Sequence, residues 1–470
     1  MTVSYIAPNE GDDTANPLGT ESNPRRTPPT QADHMVWRFK RGTTWNRTTQ
    51  LGISAQGMIL TDYGNPDAPK PKIEAIQPAS SASVLLNGDT IFANIHFDLI
   101  DRTGTETSAS NVGQHCVSHN RRGGGASPTK LVSGAYIGCS FTRLGNNAIN
   151  VGSNSDGQYA DAAPVLLVLG CDFDTIGNDA IYGSVGEYCE IGHNRASNFG
   201  TRADSNSDFV NLIACSPEYV WIHDNYVDHT TDDRKHLIML DIASGQTGGL
   251  AVIERNVLLG YGANAPYAQA AQNAGVNLEM KAIFRQNYVR GSRLLYVVQS
   301  VVPTGSEAYG NIFDFTGSGS AYCTSIAAPG SAFYNNTLIS RNRLSGSLGS
   351  AYSSTATNAM NSRNLYVGFT RAIGTTSSRG FITGENNRFS GVTNKYWDIT
   401  NTVALADGMG DADFSEVNLM SEYGLPVRPR RDALIYTMAN VDRKVPDFWG
   451  RFAPDGIGYI GALMERGITA

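Results

Sequence analysis

The sequence predicts an all-β fold made of a stack of similar coils, and three observations predict it. The first is a repeat. Segments reading YIGCSF, VLGCDF, IGHNRA, IHDNYV, IERNVL, FRQNYV, AYGNIF, FYNNTL, NSRNLY and GENNRF follow one another. Their fourth positions are Cys139, Cys171, Asn194, Asn225, Asn256, Asn287, Asn311, Asn336, Asn364 and Asn387, spaced 23 to 32 residues apart. Self-similarity at such a period is the mark of a solenoid, in which no repeat buries its apolar face alone. The second is composition: 41% of the 470 residues are hydrophobic, only 17% are charged, and there are 50 glycines. That suits short strands separated by turns better than helices. The third is a further apolar run after a variable loop in most copies, such as AINVGS (148–153), AIYGSV (180–185), FVNLIA (209–214), LIMLDI (237–242), VNLEM (276–280) and LLYVVQ (294–299).

Within each copy the elements follow from alternation. The residue two positions after the repeated Cys or Asn is apolar in all ten copies, from Phe141 to Phe389. The residue three positions before it is apolar in the first eight, whereas Asn361 and Gly384 break the pattern. This reads as a strand, a bend and a second strand. Asn is expected to make the bend, since it tolerates left-handed backbone angles. Stacked copies would align the carboxamides in an internal ladder, and ten rungs at about 4.8 Å give a column about 50 Å long.

These residues resemble the right-handed parallel β-helix of the pectate-lyase superfamily. The opening YIAPNEGDDTANPLGTESNP, the run Phe39-Lys40-Arg41-Gly42-Thr43-Thr44-Trp45 and the closing PDFWGRFAPDGIGYIGALME are similar to that superfamily's first segment, first helix strand and last segment. The resemblance implies a single-stranded parallel β-helix of about ten or more coils. Residues 1–80 are expected as an N-terminal cap with the first coils, 81–400 as the helix core and 401–470 as a C-terminal capping segment. It also implies that Cys139 and Cys171 stand on the ladder on adjacent rungs, as two buried thiols or, since adjacent rungs lie within bridging distance, as a disulfide. With six cysteines, no CxxC and no dense framework, no zinc site and no disulfide scaffold is indicated.

The net charge of −7 excludes a basic nucleic-acid-binding surface. No apolar run reaches the roughly 18 residues that span a bilayer, so no membrane insertion is expected. The start MTVSYIAPNEGDD shows no signal peptide. Proteins of the resembled fold act on polysaccharides laid along one flank, so the partner expected is a polysaccharide outside the cell, met by a secreted enzyme or by a phage virion tail. A homotrimer is expected if the chain is a tailspike.

If the alternation holds, Asn150, Tyr182, Asn211, Asp241 and Glu279 point outward on five successive rungs, with Asp208, Asn277 and Lys281 beside them. The longest loops, 201–208, 228–236 and 260–275, would wall this region. For β-elimination a base must take a proton beside a uronate carboxyl while a cation steadies the enediolate. Lys281 is the candidate base and Arg293 the stabiliser, with Asn211, Asp241 and Glu279 as oxygen ligands for Ca²⁺. This set is similar in kind to that of alginate and chondroitin lyases of the superfamily, although Met280-Lys281-Ala282 stands where those carry an NKS-type run. His236 and His229 are further acid or base candidates. Asp208, Asp232, Asp233, Arg234, Lys235, Tyr182, Tyr267 and Tyr296 are candidate substrate-binding residues, and Tyr261 could join the tyrosines in stacking on sugar faces. Two other readings are a tailspike glycoside hydrolase with paired carboxylates, drawn from Asp208, Asp232, Asp233, Asp241 and Glu279, and a glycan-binding β-helix without catalysis.

Overall fold

In the computed structural model the described residues are 2–14, 17–47, 49–75, 82–98, 115–120, 131–152, 162–201, 208–215, 218–229, 237–242, 249–260, 276–278, 280–291, 294–297, 305–316, 322–340, 347–353, 355–375 and 387–399, with four short strands from 403 to 429. Strands and turns account for all the regular structure among them. No helix there is long and apolar enough to cross a membrane. The chain forms two compact units, Met1–Trp221 with Tyr226–His229 and Asp241–Ala243, and the remainder from Ile222 onward.

In the first unit Val3–Ile6 pairs in parallel with the next strand, and from Val36–Lys40 onward strands pair in parallel with the strand three places later in the chain, which closes the chain into three-strand coils. The first sheet runs Val3–Ile6, Val36–Lys40, Met58–Tyr63, Thr90–Ala93, Gly134–Ile137, Ala163–Leu169 and Val185–Gly192. The second runs Thr44–Arg47, Lys72–Ala75, His96–Asp98, Ser140–Leu144, Asp172–Ile176, Arg195–Phe199 and Tyr226–His229. The third runs Leu51–Ile53, Ala82–Leu86, His115–His119, Ile149–Val151, Ile181–Gly183 and Val210–Cys215. The second unit repeats the pattern, for example Ala282–Arg285, Tyr288–Gly291 and Leu295–Val297 in one coil. This is a parallel β-helix, as the sequence predicts. The run 39–45 divides into the end of one strand, a turn at Gly42 (φ 77°) and the start of the next.

The core is built from files of side chains that stack along the sheets. Phe97, Phe141 and Phe173 lie ring on ring at 5.1 and 5.0 Å, all buried. In the second unit the ladder is continuous: each side-chain Nδ2 from Asn225 through Asn256, Asn287, Asn311, Asn336 and Asn364 donates to the Oδ1 of the next, ending at Asn387, at 2.9 to 3.3 Å. The same oxygens accept the backbone N–H of the preceding rung. In the first unit the rung positions are filled by Ile95, Cys139, Cys171 and Asn194. Cys139 and Cys171 are thiols, not a disulfide, and their Sγ atoms donate to the carbonyls of Phe92 and Tyr136 at 3.5 and 3.4 Å.

One expectation is corrected. The ladder Asn does not make the bend. The left-handed residue is the one before it: Asn94, Gly138, Gly170, His193, Asp224, Arg255, Gln286, Gly310, Asn335 and Arg363 all have φ between 53° and 65°. From Asn256 to Asn364 the amide points inward and is committed to four or more hydrogen bonds, so the bend falls to its outward neighbour. That neighbour has no side-chain requirement beyond tolerating the strain, which explains its variety.

Candidate functional site

The described residues bring several titratable groups together on the outer face of the second sheet of the first unit. Parity decides which groups these are. Ile73, Phe97, Phe141, Phe173, Ala196 and Val227 face the core in one register file, so their neighbours face out. One outward file is Lys72, His96, Ser140, Asp172, Arg195 and Tyr226; the other is Glu74, Asp98, Thr142, Asp174, Ser197 and Asp228. Rungs of a parallel sheet are about 4.8 Å apart, so each file is a row of polar groups along the helix axis.

At the centre Asp98, only 1% exposed, takes hydrogen bonds from Thr142 Oγ1 (2.8 Å) and Arg143 Nε (2.8 Å), with a further contact from the Arg143 guanidinium and Lys72 Nζ at 3.1 Å. Arg143 reaches back to it because its own backbone is left-handed (φ 53°), which turns the chain at the strand's end. Asn198 does the same one coil pair later, donating to Asp174 Oδ1 at 2.8 Å. Burial opposes ionisation of Asp98, but the bonds from Arg143, Thr142 and Lys72 outweigh it and hold the carboxyl far below the ordinary carboxylate range.

His96 Nε2 lies 2.7 Å from Thr142 Oγ1. The Thr142 proton is given to Asp98, so Nε2 must carry the hydrogen and donate, which leaves the lone pair on Nδ1. Nδ1 makes no hydrogen bond among the described residues. Burial, opposed by the Asp98 charge and helped by Lys72, Lys70 and Arg143, lowers His96 below its ordinary 6.5. Lys70 Nζ donates to Ser140 Oγ at 2.8 Å and stands 3.9 Å from Asp172. The site therefore presents a neutral imidazole with a defined tautomer, flanked by cations that are each paired with an acid: Lys72 with Asp98 and Glu74, Arg143 with Asp98, and Lys70 with Asp172.

The sign of the pH effect follows. The unfolded chain protonates His96 at the ordinary 6.5 and the folded chain only at lower pH, so stability is lost as pH falls from 6.5 toward the folded value. The Asp98 contribution is complete above the ordinary 3.8 and is lost as pH falls below it. Urea titrations of the wild type are expected to show stability falling as pH drops below 6.5, where buried His119, lowered to about 4, contributes together with His96, and His96→Asn is expected to reduce that loss without abolishing it.

The residues expected from sequence are placed differently. Asn150, Tyr182 and Asn211 do share one outward file of the third sheet, between core-facing Ile149, Ile181 and Val210. Asn150 and Asn211 are nonetheless buried; Asn150 Nδ2 donates to Ser118 at 3.1 Å, and Asn211 Oδ1, in a residue 7% exposed, has no hydrogen-bond partner among the described residues. A buried oxygen of that kind is suited to a hard cation. Asp208 is corrected: it is 0% exposed, at the corner before the third sheet, where its N–H donates to Asp179 Oδ1 (2.6 Å) as Asp179 N–H does to Asn147 Oδ1 (3.1 Å). This second ladder of short polar side chains holds a turn. His229 is not a loop residue but a buried strand residue stacked on Phe199 at 4.1 Å. Lys281 is exposed just before Ala282–Arg285. Asp241 and Tyr296 lie on strands Ile238–Ile242 and Leu295–Val297, but their side chains are outside the described set. Glu279, Arg293, His236, Asp232, Asp233, Arg234, Lys235, Tyr261 and Tyr267 lie outside the described residues.

No protein-family model and no curated protein matches the chain. Among solved structures it is similar to the GH136 lacto-N-biosidase from Eubacterium ramulus, with 11% identity and TM-score 0.39 over 76% of this chain and 65% of that one. It is similar to pectate lyase Pel9A, with 12% identity and TM-score 0.40 over 99% and 97%. A third is tailspike protein 3 of bacteriophage CBA120, with 13% identity and TM-score 0.36 over 85% and 60%. The chain thus spans less than two thirds of the biosidase and tailspike chains.

Proposed function

We propose that the protein is a depolymerase that cleaves an acidic extracellular or capsular polysaccharide by β-elimination. The observation that carries this reading is the neutral His96, held in one tautomer by Thr142 and Asp98, beside Lys70 and Lys72 on an open β-helix face. The two outward files give an extended chain a straight row of polar partners, with Arg195 and Tyr226 continuing the row. In the reaction, Nδ1 takes the proton next to a uronate carboxyl, the bond to the leaving glycosidic oxygen breaks as the ring double bond forms, and the imidazolium returns the proton to that oxygen. A lysine ammonium offsets the charge gathering on the carboxyl.

A second reading, hydrolysis, has its own observation: Asp172 and Asp174 stand on the same face of one strand, about 6.6 Å apart along it, a separation suited to a pair of catalytic carboxylates. Lys281 as base and Arg293 as stabiliser, with Ca²⁺ at Asn211, Asp241 and Glu279, remain a second proposal for elimination. The expected result with a panel of acidic polysaccharides is rising absorbance near 235 nm, the signature of an unsaturated uronate. New reducing ends without absorbance would turn the reading to hydrolysis. Binding with neither would leave a glycan-binding β-helix and overturn the enzyme.

A further inference from the structure

The outward face of the first sheet in the first unit is apolar, where that of the second sheet is charged. One file reads Val36, Ile59, Ile91, Ala135, Leu167 and Glu190. The neighbouring file holds Arg38, Thr61, Ala93, Ile137, Leu169 and Gly192 on the same six strands. Ile91 is 37% and Ile137 43% exposed, high for large aliphatic side chains at the middle of a sheet. Parallel sheets ordinarily have both faces covered.

The order of the residues says what covers this face. A two-fold axis lying along the strands, midway between Thr90–Ala93 and Gly134–Ile137, reverses the stacking order in a second molecule and keeps each file opposite itself. Ile91 then meets Ala135, Ile137 meets Ala93, Leu167 meets Ile59 and Leu169 meets Thr61. Ile91, Ile137 and Leu169 fall opposite smaller side chains, as in two sheets that interdigitate, while Leu167 falls opposite Ile59 and Val36 opposite Glu190. The ends agree in charge as well as the middle in shape. Arg38 falls opposite Gly192, which leaves it a diagonal neighbour of Glu190, two residues back on the strand of Gly192. Glu190 accepts a hydrogen bond from Tyr188 at 2.8 Å, and Arg38 Nε makes no hydrogen bond among the described residues although the guanidinium lies over the Tyr5 ring at 5.7 Å. An isologous contact repeats each of these pairs twice.

We propose that this face is the interface of a homodimer in which two β-helices lie antiparallel, first sheet against first sheet, with Ile91 and Ile137 at its centre and Arg38 paired with the partner's Glu190.

The test is sedimentation equilibrium of the full chain. At about 100 µM, enough to populate a weak interface, the wild type is expected at twice the chain's 50.4 kDa. Ile137→Lys is expected at 50.4 kDa with unchanged far-ultraviolet dichroism. Arg38→Glu is expected to weaken the dimer by about tenfold, and adding Glu190→Arg to restore it. A monomeric wild type, a trimer such as a tailspike forms, a dimer that survives Ile137→Lys, or a double charge exchange that restores nothing would each overturn the interface. Because none of these residues belongs to the His96 site, polysaccharide cleavage and dimerisation can fail separately.

Discussion

Replacing His96 by alanine is expected to lower turnover of the cleaved polysaccharide by about a thousandfold, or about 4 kcal/mol in the barrier, the usual worth of a positioned general base. The side chain lies on an outward strand position, so the β-helix is expected to unfold at nearly the wild-type urea concentration. Three further readouts separate a base from a structural residue. The acid limb of kcat/KM in the wild type is expected below pH 6.5, because the free-enzyme imidazole is held below its ordinary value. In His96→Ala that limb is expected to vanish, and added imidazole to recover part of the rate. Thr142→Val, which removes the hydroxyl that fixes the tautomer, is expected to lower kcat by about tenfold while leaving KM near the wild-type value. Full activity in His96→Ala together with loss in Lys281→Ala or Glu279→Ala would move the chemistry to the other arrangement.

Asn287→Ala is expected to cost about 4 kcal/mol of stability, measured by equilibrium urea unfolding. The amide donates to Ile253 O (2.9 Å), Arg285 O (3.0 Å) and Asn311 Oδ1 (3.1 Å), and its oxygen accepts both the backbone N–H and the Nδ2 of Asn256 (3.0 Å each). Alanine leaves several of these buried groups without partners, at about 1–3 kcal/mol for each one that water cannot reach. Asn287→Asp keeps the shape and the acceptor but turns two donors into an oxygen facing carbonyls, so it is expected to be at least as destabilising. A loss below about 1 kcal/mol in both variants would mean that the ladder is a consequence of the coil geometry and not a support for it.

The coil repeat was legible because it is written in local sequence: in most copies an apolar residue, a spacer pair, Asn or Cys, and an apolar residue two places on, recurring every 23 to 32 residues. The position of the bend was misread by one residue, since Asn is at home both in left-handed turns and in buried ladders and only the backbone separates the two. Residues His223 and Asp224 show the same ambiguity. They resemble a solvated turn, yet His223 is buried and bonds Asp224 at 2.8 Å, while Asp224 accepts hydrogen bonds from Arg255 Nε and Nη2 at 2.9 and 2.8 Å.

The His96 site was not legible at all as a motif. Lys72, His96 and Thr142 lie in three different coils, and the short windows 70–74, 96–98 and 140–143 each hold only part of the site. A signal was present. Phe97 continues the file of Phe141 and Phe173, so extending the repeat one coil toward the N-terminus, past the rung where Ile95 replaces Asn or Cys, would have placed His96 and Asp98 outside and adjacent to Ser140 and Thr142.

The carboxamides of the ladder all point one way. From Asn225 to Asn387 every Nδ2 faces the next rung and every Oδ1 the previous one. Dipoles aligned head to tail polarise one another and add, as peptide groups do along a helix. The interior of the second unit is therefore an electrically polar rod, positive toward Asn387 and negative toward Asn225. Whatever closes its two ends must differ accordingly, with acceptors or anions favoured at one and donors at the other, so the two caps of such a column are not interchangeable.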